Sequence, residues 1–377
     1  MTKKIIFLTG TRADFGKLKP LMLCLEKDLN FEVHIFVTGM HMLNKYGYTC
    51  EEVENTGFKN VYKYINQSLD DSMDQVLAKT IMGLSNFFRE INPDLLIVHG
   101  DRVETLAGAS VGALNNVLVC HVEGGEVSGT VDELIRHSVS KLSHIHLVAN
   151  DKAKKRLLQL GEEENSIYVI GSPDIDIMNS NNLPKLNKVK EYYEIDFDKY
   201  SILAFHPVTT ELIDLKNQIK VIVDTLIDTE LNYIVIFPNN DNGTNIILNE
   251  YLRFNGYRNI KVYPSMRFEY FLTLLKNSEF IIGNSSSGIR EAPYFAVPTI
   301  NLGTRQKNRV LCDTVVNIDI NFNIIKKSIN NINNISRAPN NLFGKGKSAE
   351  LFYKIIYENS FWNIKKQKYF IDRILDE

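Results

Sequence analysis

The sequence predicts an α/β protein made of two doubly wound domains, each built on a parallel sheet. Short apolar runs alternate with stretches of helical periodicity from Ile5 to about residue 175, and a second alternating set begins at Ser201. Short apolar runs are typical of strands buried on both faces, and their alternation with helices is typical of parallel sheets. At 377 residues the chain is long for one hydrophobic core, which favours two domains.

The expected domains follow from this alternation and from changes in composition. We expect an N-terminal Rossmann-like domain over 1–178, a linker rich in Asn, Lys and Tyr with a short helix over 179–200, and a C-terminal Rossmann-like domain over 201–350. Residues 316–341 are dense in Asn and Ile and contain no recognisable motif. Residues 351–377 have a helical pattern, and we expect Phe352 and Trp362 to anchor them on the N-terminal domain. Two such domains facing a central cleft form a GT-B-like arrangement.

Periodicity and turn residues place the individual elements. In the first half we expect strands at 5–8, 31–37, 95–98, 117–122, 145–149 and 167–170, and helices at 17–27, 70–91, 103–114, 128–143 and 151–160. In the second half we expect strands at 202–205, 233–237, 260–263, 280–283 and 299–302, and helices at 267–276 and from 348 onward.

Charge and cysteine usage exclude several classes of partner. The net charge of −2 argues against binding to nucleic acid or to an anionic membrane through bulk electrostatics. The scattered cysteines lack CxxC spacing, which suits a reducing cytoplasm and offers no zinc site. The N-terminus has the pattern of a first strand rather than a signal peptide, and no apolar run approaches the roughly 18 to 20 residues of a membrane span. We therefore expect a cytoplasmic protein with neither a nucleic-acid nor a membrane partner.

Candidate acids and bases gather at the carboxyl ends of two predicted strands. Asp101 and Glu123 each follow a buried strand, and ligands of open α/β sheets bind beyond those ends. Asp132 lies a few residues further on, and helical spacing brings Arg136 and His137 near it. Acids, bases and glycines at strand ends point to proton-transfer chemistry. The alternative is that these residues are polar caps of loops.

Two turns are candidate phosphate sites. Residues 10–17 link the first strand to a helix, and Arg12 and Lys17 add positive charge there. Residues 283–288 form a Gly/Ser-rich turn that includes Ser285 and Ser286 before a predicted helix. Backbone N–H groups at the start of a helix favour anions, so the second turn is the stronger candidate. The first turn alone could equally be an ordinary turn.

A set of motifs runs through both halves of the chain. They are Gly10-Thr-Arg-Ala-Asp-Phe-Gly-Lys17, His99-Gly-Asp-Arg102, His121-Val-Glu-Gly-Gly-Glu126, Ser128-Gly-Thr-Val-Asp132, Arg136-His137, Lys141-Leu-Ser-His-Ile-His146, Phe205-His-Pro-Val-Thr-Thr210, Pro238-Asn-Asn-Asp241, Gly283-Asn-Ser-Ser-Ser-Gly288 and Asn301-Leu-Gly-Thr-Arg-Gln306. Taken together, these motifs resemble the UDP-N-acetylglucosamine 2-epimerase superfamily, and within it the hydrolysing branch that makes N-acetylmannosamine for sialic acid synthesis. The resemblance covers residues from Ile5 to about Asn308. Ala13-Asp14 and Gly124-Gly125-Glu126 depart from the non-hydrolysing pattern, which favours the hydrolysing branch.

The resemblance implies a reaction and a set of residues. UDP leaves C1 as a proton leaves C2, and water then adds to the unsaturated sugar. The implied catalytic residues are Asp101, Glu123 and Asp132, with Arg136 and His137 as orienting groups or proton relays. The implied substrate and UDP ligands are Arg12, Lys17, Arg102, His206, Ser285, Ser286, Glu291 at the ribose, Asn239 and Phe271 near the uracil or ribose, and Arg305 near the phosphates. No cofactor or metal is implied, and the family suggests a homodimer or homotetramer.

Several alternatives stay open at this point. A hydrolysing 2-epimerase of the same branch would act on a nucleotide-linked 2,4-diacetamido-2,4,6-trideoxy sugar, on the way to legionaminic acid. A GT-B glycosyltransferase or a non-catalytic sugar-nucleotide sensor would share the architecture. His144 and His146 share one face of a strand and could bind a metal, although no third clustered ligand accompanies them. His41 could reach the cleft or be packed in a loop, and His34 is expected to be structural.

Overall fold

The computed structural model describes residues 2–306, 309 and 312–372. The chain forms two compact units. Unit 1 contains the residues up to Glu126, Asp132–Ser180 and the residues from Leu342 onward; unit 2 contains Val127–Val131 and Asn181–Asn341. In the described part of the chain, no helix is both long enough and apolar enough to span a membrane.

Unit 1 is built on a seven-stranded parallel sheet with the order β3-β2-β1-β4-β5-β6-β7. The strands are β1 Lys3–Thr9, β2 Phe31–Val37, β3 Asn60–Lys63, β4 Leu95–His99, β5 Leu118–Val122, β6 Ile145–Val148 and β7 Ile167–Val169. The helices are α1 Arg12–Glu26, α2 Cys50–Glu54, α3 Met73–Ile91, α4 Val103–Leu114, α5 Val131–Leu142, α6 Asp151–Gln159 and α7 Pro173–Met178. The neighbouring positions of β4 and β5 bring the ends that precede Asp101 and Glu123 side by side.

Helices α2 and α7 were not predicted, and two further differences between unit 1 and the sequence prediction have a local cause. α1 begins at Arg12 rather than residue 17, because the Thr11 side chain accepts a hydrogen bond from the Asp14 backbone N–H at 3.1 Å and caps the helix. Strand β3 was not predicted, because it is a short edge strand without a clear apolar alternation, and no residue in it is fully buried.

The end of the chain returns to the core of unit 1. Helices α14 Ser348–Ile356 and α15 Asn359–Trp362 complete the list of helices in this unit. Phe352, Ile356 and Phe361 are fully buried in the cluster that also holds Leu18 and Leu21 of α1. The return begins at Leu342, before the expected boundary at 351, and beyond α15 the described residues 363–372 form no helix.

Unit 2 is a six-stranded parallel sheet with the order β10-β9-β8-β11-β12-β13. Its strands are β8 Ser201–Ala204, β9 Tyr233–Ile236, β10 Ile260–Tyr263, β11 Ile281–Gly283, β12 Thr299–Leu302 and β13 Val315–Ile318. Its helices are α8 Leu186–Tyr192, α9 Leu212–Asp228, α10 Thr244–Tyr251, α11 Phe268–Lys276, α12 Glu291–Tyr294 and α13 Phe322–Asn330. The prediction of two Rossmann-like parallel-sheet domains is thus confirmed.

Two segments of unit 2 correct the expectations from composition. The expected linker over 179–200 contains α8, in agreement with the short helix expected there, but residues from Asn181 onward belong to unit 2. The Asn/Ile-rich region contains β13 and α13, and Ile325 and Ile329 of α13 are buried in the core of unit 2. The apolar face of α13 was present in the sequence but was obscured by the surrounding asparagines.

Gly283 ends β11 at a point where only glycine fits. Its φ is +132°, and a Cβ at this position would lie 2.1 Å from the Ala204 carbonyl oxygen of the neighbouring strand. The backbone conformation and the close approach of the two strands therefore both require the absence of a side chain.

We expect Gly283→Ala to lower the free energy of unfolding by about 3 kcal/mol, because it adds a steric clash to backbone strain. The matched control is Gly256→Ala, since Gly256 also has a positive φ of +96° but, among the described residues beyond its chain neighbours, no atom lies within 4 Å of the position that an alanine methyl group would occupy. The control should cost about 1 kcal/mol. Urea unfolding followed by circular dichroism measures both values, and equal losses would contradict the clash.

Candidate active site

The carboxyl ends of β1, β4 and β5 carry the candidate catalytic groups of unit 1. These three strands are adjacent in the sheet, and each is followed by a tight polar turn. Glu123 follows β5 in the left-handed region, with φ +67°, which is uncommon for a residue other than glycine. Its backbone N–H donates to the Leu147 carbonyl at 2.9 Å, so the turn is tied to β6. Such strained positions are often found at functional sites.

The Glu123 carboxylate lies in a buried network with a histidine and a second acid. His99 Nε2 is 3.1 Å from Glu123 Oε2, and His99 Nδ1 is 3.2 Å from Asp14 Oδ1. The Ser172 hydroxyl donates to Glu123 Oε1. Burial acts to lower the pKa of His99, but the carboxylates of Glu123 and Asp14 outweigh it and raise this pKa to about 9. At neutral pH, His99 is therefore an imidazolium between two carboxylates.

Asp101 pairs with α5. The Arg136 guanidinium, which is 2% exposed, donates to Asp101 Oδ2, and its other terminal nitrogen donates to the Glu126 carbonyl at 3.4 Å. Asp132 lies half-buried on the first turn of the same helix.

His137 does not share the buried face of Arg136, contrary to the expectation that Asp132, Arg136 and His137 lie near one face. Its side chain is 36% exposed, and its Nε2 lies 3.4 Å from Glu133 Oε1. The physical reason is the helical step of about 100° between consecutive residues, which turns His137 away from the side that faces Asp101.

Arg12 and Arg102 each contact a carboxylate of unit 1. Arg12 Nη2 lies 2.5 Å from Glu52 Oε1, and Arg102 Nε lies 3.3 Å from Glu104 Oε2. Glu104 is almost fully buried beneath Gly10, and burial raises its pKa. Both arginines remain partly exposed, at 16% and 14% of their side chains, so each could still meet an anion.

Lys17 is placed differently from the expectation. Its Nζ lies 3.4 Å from Oδ2 of Asp174 on α7, and its side chain is only 9% exposed. Because α1 starts at Arg12, Lys17 lies on the second turn of the helix rather than in the turn that precedes it. Its burial against α7 favours a structural ion pair over the predicted contact with phosphate.

In unit 2, Asn284 holds the candidate UDP-binding loops together. It is 1% exposed; its Oδ1 accepts from the His206 backbone N–H at 2.7 Å, and its Nδ2 donates to the His206 carbonyl at 2.8 Å. Its own carbonyl accepts from Arg305 Nη1 at 3.2 Å and from Gln306 Nε2 at 2.8 Å. His206 Nδ1 accepts from the Asn239 backbone N–H at 3.2 Å, which leaves the proton of this imidazole on Nε2 when it is neutral.

The Gly/Ser turn of unit 2 differs in detail from the predicted strand-to-helix turn. Ser285 caps a short 3₁₀ turn at Ser286–Gly288 by accepting from the Ser287 N–H at 3.3 Å, and α12 starts only at Glu291. Ser285 and Ser286 are partly exposed, whereas Glu291 and Phe271 are 2% and 9% exposed within unit 2. The small hydroxyl residues are therefore the accessible members of this group.

The remaining histidines have contacts that account for them structurally. His144 Nδ1 accepts from the Val119 N–H at 3.0 Å, and His146 Nε2 lies 3.0 Å from Glu162 Oε2. His41 is fully buried between the hydroxyls of Thr9 and Thr49, and burial lowers its pKa to about 4. His34 is buried with its Nε2 2.8 Å from Glu32. Across residues 2–306, 309 and 312–372, no group of three or more His, Cys, Asp or Glu side chains could hold a metal ion.

Three residues of these networks were not among the predicted site residues. His99, Asp14 and Asn284 all lie within motifs that carry the family resemblance, but other residues of those motifs were predicted as the site residues. His99 is the last residue of a buried strand, and an imidazole at such a position beside a following Asp was the available signal. The contact of His99 with Glu123 joins two strands and is not visible in sequence spacing.

Comparison with known proteins places the chain in a family. The sequence model of the UDP-N-acetylglucosamine 2-epimerase family matches residues 24–357. A protein of Neisseria meningitidis serogroup B named UDP-N-acetylglucosamine 2-epimerase is 47% identical over 374 residues, which is 98% of this chain and 99% of that protein. A UDP-N,N'-diacetylbacillosamine 2-epimerase (hydrolyzing) of Legionella pneumophila is 33% identical, over 94% of this chain and 96% of that protein.

A solved structure has the same fold. The structure of a UDP-GlcNAc 2-epimerase from Neisseria meningitidis bound to UDP-GlcNAc matches with a TM-score of 0.79 and 19% identity, over 94% of this chain and all of that chain. The fold is therefore GT-B-like. The chain belongs to the UDP-N-acetylglucosamine 2-epimerase family.

Proposed function

We propose that this chain is a hydrolysing UDP-GlcNAc 2-epimerase, which converts UDP-GlcNAc and water into N-acetylmannosamine and UDP. The product would supply sialic acid synthesis for a surface polysaccharide. The observation that carries the proposal is the pair of ionic networks at the ends of β4 and β5, Asp101 with Arg136 and Glu123 with His99. Both networks hold a carboxyl group in place beside a cation, and proton transfer at carbon requires acid and base groups held in position. The 47% identity to a UDP-N-acetylglucosamine 2-epimerase over nearly the whole chain supports the substrate.

In the first half of the proposed reaction, a base removes the proton from C2 while the bond between C1 and the phosphate oxygen breaks. The electron pair of the C2–H bond forms the C1–C2 double bond, and UDP leaves with the electron pair of the bond between C1 and the phosphate oxygen. Asp101, Glu123 and Asp132 are the proposed catalytic carboxylates. Because close carboxylates titrate as a coupled set, one of them can act as base while another carries a proton.

In the second half, water adds to the 2-acetamidoglucal. The water oxygen bonds to C1 and gives one proton to a carboxylate, while the electron pair of the double bond takes a proton at C2 from the face opposite to the one it left, which inverts C2. Carboxylates near C1 would stabilise the positive charge that develops there, as they do in glycosidases. We propose that Arg136 fixes the Asp101 carboxylate for these transfers. His137 lies on another side of α5, and no step is assigned to it.

His99 is proposed as a positioning residue rather than a group that touches substrate. Its two nitrogens face Asp14 and Glu123, so it holds the Glu123 carboxylate in one orientation. Ser172 adds a third constraint on the same carboxylate. This arrangement fixes the direction of a carboxylate whose backbone is already confined to an uncommon conformation.

The charge of UDP would be met by donors of the protein, so that no cofactor is needed. In unit 2 we propose Ser285, Ser286, His206 and Arg305 as donors, with Asn239, Phe271 and Glu291 toward the nucleoside. In unit 1, Arg12 and Arg102 are the proposed cations, each partly exposed beside its carboxylate partner. Guanidinium groups suit phosphate because they donate in a planar fork.

The proposed assembly is a homodimer or homotetramer in the cytoplasm, as the family suggests. Light scattering on the purified protein gives its mass directly, and a monomer would reject this part of the proposal.

A second candidate is the hydrolysing 2-epimerisation of a nucleotide-linked 2,4-diacetamido-2,4,6-trideoxy sugar. Relatives named for that substrate are 33% and 35% identical to this chain. The UDP-GlcNAc proposal is favoured because the relative at 47% identity is named for UDP-GlcNAc.

The function is tested by incubating the protein with UDP-GlcNAc and EDTA in deuterated water and following proton NMR. We expect UDP together with N-acetylmannosamine that carries deuterium at C2. An epimerised sugar still joined to UDP would instead indicate a non-hydrolysing enzyme. No reaction with UDP-GlcNAc, followed by turnover of the diacetamido nucleotide sugar in the same assay, would establish the second candidate.

We expect Asp101→Asn to lower kcat by at least about 100-fold, because the amide can neither accept a proton nor balance the Arg136 charge. UDP binding, measured by calorimetry, should stay within a few-fold. The matched control is Glu164→Gln, since Glu164 forms a surface ion pair with Lys154 and is 71% exposed. If Asp101→Asn keeps more than a tenth of the wild-type activity, its proposed role is wrong.

The His99 network predicts a pH-dependent stability. The pKa of His99 is about 9 in the folded chain and 6.5 as the ordinary value, so its stabilisation is complete below pH 6.5 and is lost as the pH rises through 9. The free energy of unfolding of the wild type, minus that of His99→Gln, should therefore fall by about 3 kcal/mol between pH 6 and pH 9.5. Urea unfolding at several pH values measures this difference, and a constant difference would show that His99 is not held as an imidazolium.

A further inference from the structure

We propose that Lys368, on the C-terminal tail formed by residues 363–372, is a positioning residue of the active site. It holds α5 in its position beside Asp101. The inference rests on the proposed function, because α5 carries Asp132 and Arg136. The tail lies beyond the part of the chain that the family model matches, which ends at residue 357.

Lys368 caps the C-terminal end of α5. Its Nζ donates to the carbonyls of Ser143, Lys141 and Ser140 at 2.5, 2.9 and 3.4 Å. The last carbonyls of a helix lack donors from within the helix and carry partial negative charge, so a cation placed there is favourable. The ammonium of Lys368 thus satisfies several of these carbonyls at once.

The tail is held in place by buried polar groups. Glu162, whose side chain is 1% exposed, lies within ion-pair distance of Lys368, Lys141 and His146. The Lys366 carbonyl accepts from His144 Nε2 at 3.0 Å, and Nδ1 of the same ring accepts from the Val119 N–H at the start of β5. Lys368 is therefore fixed relative to the sheet rather than only to the helix.

A second set of contacts joins α5 to the turn that carries Asp101. The fully buried ring of His121 bonds through Nδ1 to the Ser140 hydroxyl at 3.0 Å and through Nε2 to the Gly100 carbonyl at 2.8 Å. Because the carbonyl can only accept, Nε2 carries the proton and Nδ1 accepts from Ser140. Gly124 allows this close fit, since a Cβ there would lie 2.8 Å from the Ser140 hydroxyl.

The position of α5 along its axis therefore determines whether its two contacts with the turn after β4 can form at the same time. Ser140 reaches Gly100 through His121, and Arg136 reaches Asp101 directly. Lys368 binds the carbonyl of the same Ser140 and fixes the far end of the helix. Without its charge, the last turn of α5 would loosen, and a small shift would separate Arg136 from Asp101. Displacements of about 1 Å can reduce catalysis by about 100-fold.

The test compares Lys368→Met, which removes the donors, with Lys368→Arg, which keeps a cation with several donors. For Lys368→Met we expect kcat per folded molecule to fall by at least about tenfold, with KM and the Kd for UDP within about twofold. Lys368→Arg should recover most of kcat. Lys365→Met, an exposed neighbour on the same tail, is the matched control and should behave like the wild type.

Hydrogen exchange of the α5 amides provides a readout that needs no substrate. We expect faster exchange over residues 136–143 in Lys368→Met and wild-type rates in Lys368→Arg. A normal kcat with only a lowered melting temperature, or unchanged exchange in α5, would overturn the proposal. If Lys368→Met does not fold, Lys368→Gln, which keeps one donor group, should show an intermediate kcat and intermediate exchange, and wild-type values for both would overturn it.

The two proposals fail in different ways. Wild-type protein that turns over neither UDP-GlcNAc nor the diacetamido sugar rejects the proposed function, and the exchange measurements then decide the role of Lys368 in holding α5. Wild-type turnover combined with an unaffected Lys368→Met variant rejects the role of Lys368 alone.

Discussion

The arrangement of the candidate catalytic side chains in unit 1 depends on the need to balance buried charge. Arg136, Glu123 and His99 are almost fully buried, where an isolated charge would cost several kcal/mol, so each is paired with an opposite charge from another element. Arg136 on α5 serves Asp101, and His99 serves both Glu123 and Asp14. Removing one partner would leave the other as an unpaired charge. The elements that carry these pairs are therefore held in one arrangement. The same constraint explains why Lys17 lies against Asp174 instead of projecting toward solvent.

Unit 2 orders its candidate ligands by different means. There the central group is a neutral amide, Asn284, which bonds both backbone groups of His206 and receives donors from Arg305 and Gln306. Hydrogen bonds of this kind fix loops without adding net charge to a region proposed to receive a diphosphate. This difference between the two units suits the proposed chemistry. Proton transfer requires acidic and basic groups that are tightly held, whereas anion binding requires hydrogen-bond donors whose positive charge is not already neutralised.

Local patterns predicted most of the fold, and long-range packing accounts for most errors. Short apolar runs located β4 and β5, and their adjacency in the sheet agrees with the inference that Asp101 and Glu123 end neighbouring strands. The helix cap at Thr11 was not predicted, so Lys17 was placed in the turn before α1 instead of within the helix. His137 was expected on the same face of α5 as Arg136, but the helical step of about 100° places it on another side. The contact of His99 with Glu123 was beyond prediction, since it depends on the sheet register. The composition of 316–341 concealed β13 and α13 because asparagine outnumbers the residues that form their buried faces.

The return of the chain to unit 1 also bears on the order of events during synthesis. Domains commonly fold from the N-terminus as they leave the ribosome. Here α1 places Leu18 and Leu21 in a cluster completed by Phe352, Ile356 and Phe361, which are synthesised after all of unit 2. All segments of unit 2 end by Asn341. The unit that starts first is thus completed second, and its nascent form must keep an apolar surface uncovered until all of unit 2 has been synthesised.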